Sequence, residues 1–175
     1  MTGFTVGAMQ RLVELGITVR NQSVLLRGVN DTFSGMYRLI KKLSFLNIQP
    51  YIVYLHDMVP GCEHLRTTMG DAERLAKQLQ GTTATFNMPR FVCDAPGGGG
   101  KRIITSYEAY DRELGVSAWT APKIKPGKIF YYFDPIDRLP RHGRRLWDHP
   151  MEREVRLAMF KAEVERKVRM QNRRN

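Results

Sequence analysis

Cysteine is scarce in this sequence: the 175 residues hold two, Cys62 and Cys93. Two thiols make no disulfide framework. Alone they cannot ligate an iron–sulfur cluster or a structural zinc, which take three or four protein ligands. Long apolar runs are missing as well. Ile48 to Leu55 is among the longest, and Gln49 and Pro50 interrupt it, so no stretch is long enough to cross a bilayer. The first residues lack the basic-then-apolar layout of a secretion signal. The cytoplasm is the expected location, and a membrane is not an expected partner.

Acidic residues are outnumbered, with 17 Asp and Glu against 28 Lys and Arg and a net charge of +11. Such an excess suits an anionic partner, whether a phosphate-bearing cofactor, a nucleic acid or an acidic protein. It is unevenly spread. Residues 138–175 carry 12 Lys and Arg against 5 Asp and Glu, whereas the first 137 residues carry 16 against 12. The charge belongs mainly to a tail, so nucleic acid is not the expected partner.

The chain is long enough for one domain with a real core. Ala8, Met9, Leu12, Val13 and Leu15 line one face of an opening helix that Gly16 stops. Ile17 to Leu26 then turns extended and holds a strand candidate, Ser23 to Leu26. Asp31 or Thr32 caps a second helix on Met36, Leu39, Ile40, Leu43 and Leu46, with Asn47 at its end. Ile48 to Leu55 reads as the next strand, and His56 to Thr67 as a loop. Thr68 or Asp71 starts a third helix that Gly81 closes, and Thr82 to Asp94 is again extended. This alternation predicts βα units and a parallel sheet. Residues 103–147 read as short strands or hairpins, with a Phe130-Tyr-Tyr-Phe133 cluster. A last helix is expected from Met151, with Asp148 as cap, Pro150 in its first turn, and Leu157, Phe160, Val164 and Val168 on one face.

The strongest chemical signal is Asp94-Ala-Pro-Gly-Gly-Gly-Gly-Lys101. Four consecutive glycines are costly to order, and a fold keeps them where backbone must turn left-handed or approach a ligand closely. Lys101 at their end sets an amine beside backbone N–H groups. That suits a phosphate-bearing aldehyde, whose carbonyl condenses with an amine. A surface linker with a solvated lysine is the plain alternative. Asp57 and Asp94 each follow an apolar extended segment, and at the carboxyl ends of parallel strands they would share one face. Two carboxylates converging there call for a cation such as an ammonium group; the plain alternative is two turn caps. His56, Cys62 and His64 lack a fourth ligand, so no metal site is expected. Cys93 reads as a buried thiol, and Tyr54 as a core or pocket residue.

Four blocks resemble lysine 2,3-aminomutase. They are Asn21-Gln-Ser-Val-Leu-Leu-Arg-Gly-Val-Asn-Asp31, Pro50-Tyr-Ile-Val-Tyr-Leu-His-Asp57, His64-Leu-Arg-Thr67 and Asp94 to Lys101. They fall in order and at compatible spacing within residues 8–103. The resemblance implies a radical S-adenosylmethionine enzyme that moves the α-amine of L-lysine to give L-β-lysine. The implied fold is α/β: residues 1–103 are the C-terminal βα units of a partial barrel, and 104–175 an irregular extension ending in a basic helix from about 150. By the same resemblance Lys101 carries pyridoxal phosphate at the end of Gly97, Gly98, Gly99 and Gly100. Asp57 and Asp94 hold the substrate's side-chain ammonium; in glutamate-specific relatives these positions are lysine and asparagine. Gln22 faces the S-adenosylmethionine side.

Other features depart from the family. The C-x-x-x-C-x-x-C cluster motif is absent, as is the upstream arginine that grips the substrate carboxylate. Thr32 stands where zinc-bearing members have cysteine, so that zinc site is not expected. S-adenosylmethionine and a [4Fe-4S] cluster are thus implied for a complete enzyme, with this chain a truncated, split or fragmentary piece. Its expected partners are lysine and either a cluster-bearing half or further copies of itself. Specificity for another cationic amino acid, or a degenerate basic binding module, are the rival expectations. The tail helix is expected to be separable from cofactor binding.

Overall fold

A computed structural model describes residues 2–172. Its first half follows local sequence signals closely. The opening helix α1 (Gly3–Glu14) starts where the Thr2 hydroxyl accepts the Thr5 N–H. Strand β1 (Val19–Leu25) leads to α2 (Phe33–Phe45), which Thr32, the second of the two expected caps, begins by accepting the Gly35 N–H at 3.2 Å. Met36, Ile40 and Leu43 are the buried positions of α2, spaced to put one stripe against the sheet. The helix ends before Asn47, which takes a left-handed φ of 56°, a conformation asparagine tolerates. Strand β2 (Ile48–Leu55) has the predicted bounds. Helix α3 (Met69–Leu79) uses both expected start residues at once, as a capping box between Thr68 and Asp71.

β1, β2 and β3 (Arg90–Ala95) pair in parallel, as expected. The tetraglycine run forms a turn with left-handed backbone at Gly97, Gly98 and Gly100. It folds the chain back so that β4 (Gly100–Ile103) pairs antiparallel with β3, matching Asp94 to Lys101 and Ala95 to Gly100. The resulting sheet is mixed, in the order β1-β2-β3-β4. β1 also begins earlier than Ser23, because β2 offers it partners from Ile48 onward.

The extension is more regular than its prolines suggest. β5 (Ala109–Asp111), β6 (Val116–Ala121) and β7 (Lys125–Phe133) form an antiparallel meander. β6 is buried along nearly its whole length, and β7 is buried or half-buried from Ile129 to Phe133, which explains the apolar character of that part on both faces. Trp119 and Tyr132 join the core under the first sheet, with Leu25, Val53, Leu55, Phe91 and Cys93. The alternate residues Val116 and Ala118, with Tyr131 and Phe133, pack against the C-terminal helix α5 (Pro150–Asn172) through Phe160, Val164 and Val168. Asp148 does not cap α5. It closes a separate short helix α4 (Arg141–Asp148), and Pro150 is the first residue of α5. No helix among the described residues is long and apolar enough to cross a membrane.

Candidate functional site

Register decides which side chains meet. Residues paired across a ladder point to the same face of a sheet. Val24 pairs with Tyr54, Tyr54 with Val92, and Asp94 with Lys101. Gln22, Val24, Tyr54, Asp94 and Lys101 therefore project from one face. Leu25, Val53, Phe91 and Cys93 project from the other, into the core. Gln22 and Lys101 are both exposed, but they stand on the two opposite edge strands. The Lys101 ammonium lies 5.7 Å from the centre of the Tyr54 ring, within cation–π range. The Tyr54 hydroxyl is itself buried and without a hydrogen-bond partner.

Asp57 and Asp94 line one cavity of about 460 Å³ at the carboxyl ends of β2 and β3. Met58, Gly97, Gly98, Ile124 and Tyr132 form other parts of its wall. The two acids, 37 positions apart in sequence, are thus brought together by the parallel pairing of β2 with β3. Lys101 is the cross-strand neighbour of Asp94 but does not line this cavity; its amine rests over Tyr54 beside it. Gln22 also lies outside the cavity. The acids leave an electrostatic mark on Cys93, fully buried behind them. Burial first, and then the Asp94 and Asp57 charges, push its thiol pKa upward. This cysteine is an inert apolar group, not a nucleophile.

The glycines have separable reasons. Gly97, Gly98 and Gly100 have φ of 78°, 88° and 73°, where a Cβ is strained. Gly99 is excluded from substitution by space: a Cβ there would come within 2.7 Å of Ala95 and of the Phe130 ring. Phe130 with Ala95 and Ala121 forms a small core that clamps the turn onto the second sheet.

The loop after β2 is held from beneath. Arg66, 3% exposed, pairs with Glu63 at 2.6 Å, donates to the Phe133 carbonyl, and stacks over the Tyr132 ring. The Tyr132 hydroxyl donates to the His56 carbonyl at 2.9 Å. Asp57 is thereby anchored through its neighbour, with Tyr132 a wall residue that the sequence did not single out. The two-sided Phe130-Tyr-Tyr-Phe133 run was its only signal. No group of three or more His, Cys, Asp and Glu suited to a metal converges among the described residues.

The residues at hand fit an aldehyde cofactor: an accessible lysine, a glycine turn without side-chain bulk, and an aromatic ring under the amine. No family model matches the chain. Among curated proteins it is 45% identical over 137 residues to the L-lysine 2,3-aminomutase of Clostridium subterminale, covering 76% of this chain and 31% of that protein. With the Methanococcus maripaludis L-lysine 2,3-aminomutase it shares 43% over 135 residues, 74% of this chain and 29% of the relative. The Fusobacterium nucleatum protein of that name is 42% identical over 94 residues, 54% of this chain and 22% of its own length. The chain thus spans a third or less of the length of these curated relatives.

Proposed function

The chain is a relative of the lysine 2,3-aminomutases over a part of their length, and from that premise we propose that it is the cofactor- and substrate-binding piece of such an enzyme. The supporting observation is the shared cavity of Asp57 and Asp94 beside the tetraglycine turn that presents Lys101. Lys101 holds pyridoxal phosphate covalently, at the end of the turn formed by Gly97, Gly98, Gly99 and Gly100. When bound, that group supplies a conjugated carbonyl able to condense with an α-amine and spread an unpaired electron. Asp57 and Asp94 hold the ammonium of a lysine side chain through charge-assisted hydrogen bonds. The pair selects a cation and orients it, and another cationic amino acid of similar length is the rival substrate.

In this reading β1, β2 and β3 are the last parallel strands of a partial barrel, residues 104–175 form an extension to it, and the place of action is the cytoplasm. Gln22, on the same sheet face as Lys101, looks toward the S-adenosylmethionine side. The chemistry of L-lysine to L-β-lysine needs S-adenosylmethionine and a [4Fe-4S] cluster. The two cysteines here cannot ligate that cluster by themselves, so a cluster-bearing part must complete the site.

The decisive experiment is trapping. Pyridoxal phosphate added to the chain should give visible absorbance, and borohydride reduction followed by peptide mapping should place the label on Lys101. Label spread evenly over the many lysines would remove the assignment and favour a basic module without chemistry.

A further inference from the structure

The cavity that brings the two acids together has an apolar side as well. Asp57 and Asp94 are its charged lining among the described residues, while Met58 and Ile124 supply long apolar side chains and Ala95 and Pro96 add carbon surface. Met58 directly follows Asp57. Ile124 comes from the extension, in the loop between β6 and β7. That loop is closed by the pairing of Ala121 with Lys125 and by the Ile124 N–H, which donates to the Ala121 carbonyl at 3.0 Å.

The loop is held against the end of β3 by contacts that leave the Ile124 side chain out. Ala121 and Phe130 pack on Ala95, the neighbour of Asp94. Lys125 Nζ donates to the Gly97 carbonyl at 3.2 Å. The Ile124 side chain itself is 62% exposed. It reaches across to the glycine turn, its Cδ1 lying 3.6 Å from where a Cβ on Gly100 would be.

A single exposed isoleucine is ordinary on a protein surface. This one lines a cavity with two carboxylates, and together they set a double requirement on the occupant. A cation answers the acids. A small cation would leave Ile124 and Met58 in water, whereas a cation on a chain of methylenes covers them and gains apolar contact too. A polar stem would keep the charge and lose that contact.

We propose that Ile124 is a specificity-determining residue, selecting the hydrocarbon stem that joins the α-carbon of the substrate to its terminal cation. This rests on the reading above, in which the acids hold the cation and Lys101 the cofactor, and it gives the extension a part in choosing the substrate. Charge and stem are read by different elements: the acids at the ends of β2 and β3 read the first, and the β6–β7 loop reads the second.

The test uses three amino acids on the full chain loaded with pyridoxal phosphate. L-Alanine has neither feature, L-norleucine has the stem without the charge, and L-lysine has both. Each competes with Lys101 for the aldehyde. The readout is the concentration that halves borohydride labelling of Lys101, normalised to labelling without competitor. The reaction of these amines with free cofactor is the same for every variant and cancels between them. Wild type should favour norleucine over alanine by at least about fourfold, the scale of one methylene group taken out of water, and lysine over norleucine in addition. I124A should lose most of the preference for norleucine over alanine and keep the further advantage of lysine. D57N should do the reverse. A norleucine-to-alanine preference that is absent in wild type, or unchanged in I124A, overturns the stem assignment. If D57N leaves the lysine-to-norleucine preference unchanged, the acid reading fails separately, and norleucine against alanine still decides the role of Ile124. If Lys101 takes no label in wild type, the cofactor reading fails, and thermal stabilisation by pentylammonium over methylammonium decides instead. A surplus lost in I124A retains the stem contact, and an equal or absent surplus in both proteins removes it.

Discussion

Asp57 and Asp94, both exposed in this chain, line one cavity, and an ammonium held between them would be paired on two sides. Exchanging them for the lysine and asparagine of glutamate-specific relatives replaces two anions by one cation. That reverses the favoured ligand charge, most strongly where the rest of the enzyme closes the site against water. With the complete enzyme assembled, D57K/D94N should lose lysine turnover by about a hundredfold or more, the cost of a few kcal/mol for an unpaired buried ammonium. Glutamate should gain relative to lysine in competition assays. Unchanged lysine kinetics would show that the cavity is not the substrate pocket. Both acids are visible in the sequence because each ends an apolar strand. Their shared cavity is only inferable from it, since it depends on which strands become neighbours. Ile124 carries no such signal. It sits in a plain Pro-Lys-Ile-Lys-Pro-Gly-Lys stretch, and only the docking of a second sheet brings it to the cavity.

At the scale of elements, α3 is joined to the second sheet by one buried carboxylate. Asp134, just after β7, is 3% exposed; it accepts the Met69 N–H at 2.8 Å and the Tyr110 hydroxyl at 2.7 Å. Met69 opens α3, so the acid lies where the helix N-terminus favours negative charge. Burial still outweighs these donors and Arg66, and pushes its pKa up to about 6. An unfolded aspartate titrates near 3.9. The fold therefore binds the proton more tightly than the unfolded chain, and this group's contribution is most favourable below pH 4 and is lost as pH rises to 6. Relative to D134N, wild-type unfolding free energy should fall by about 2 kcal/mol between pH 4 and 7 and then level off. Denaturant titrations of both proteins across that range check it; a flat difference would mean that Asp134 is charged throughout. Elements α2, α3 and β2 are legible in the sequence, because caps and apolar spacing are short-range signals. The antiparallel return of β4, the early start of β1 and the separate helix α4 are not. The first two are set by partners distant in sequence, and α4 carries an arginine-rich pattern with Gly143 as its only buried residue.

For the whole molecule, the second sheet connects the tail to the site. One side of β7 contributes Phe130 and Tyr132 to the glycine turn and the acid cavity. The other side, with β6, is covered by α5 through Phe160, Val164 and Val168. Arg156 of α5 also reaches Asp111 at 2.9 Å, but exposed pairs of this kind contribute little. The apolar contact holds the helix, while Arg153 over Trp147, Lys161 over Tyr131 and Lys167 on the Glu108 carbonyl add flanking contacts from its basic residues. The expectation that the tail is separable from cofactor binding therefore changes. Removing residues 138–175 bares the face formed by Val116, Ala118, Tyr131 and Phe133, and a sheet exposed in this way cannot hold its opposite side in register. The deletion should lower both solubility and pyridoxal phosphate labelling of Lys101. A milder change separates helix docking from gross loss of fold. F160A leaves a cavity costing about 3–5 kcal/mol, which in a domain of this size lowers Tm by roughly 10 °C. Calorimetry measures that shift, while labelling of Lys101 well below the new Tm should stay near wild type, because β7 remains in place there. If the deletion keeps full labelling, Trp119 and Tyr132 alone anchor the second sheet, and α5 serves another surface.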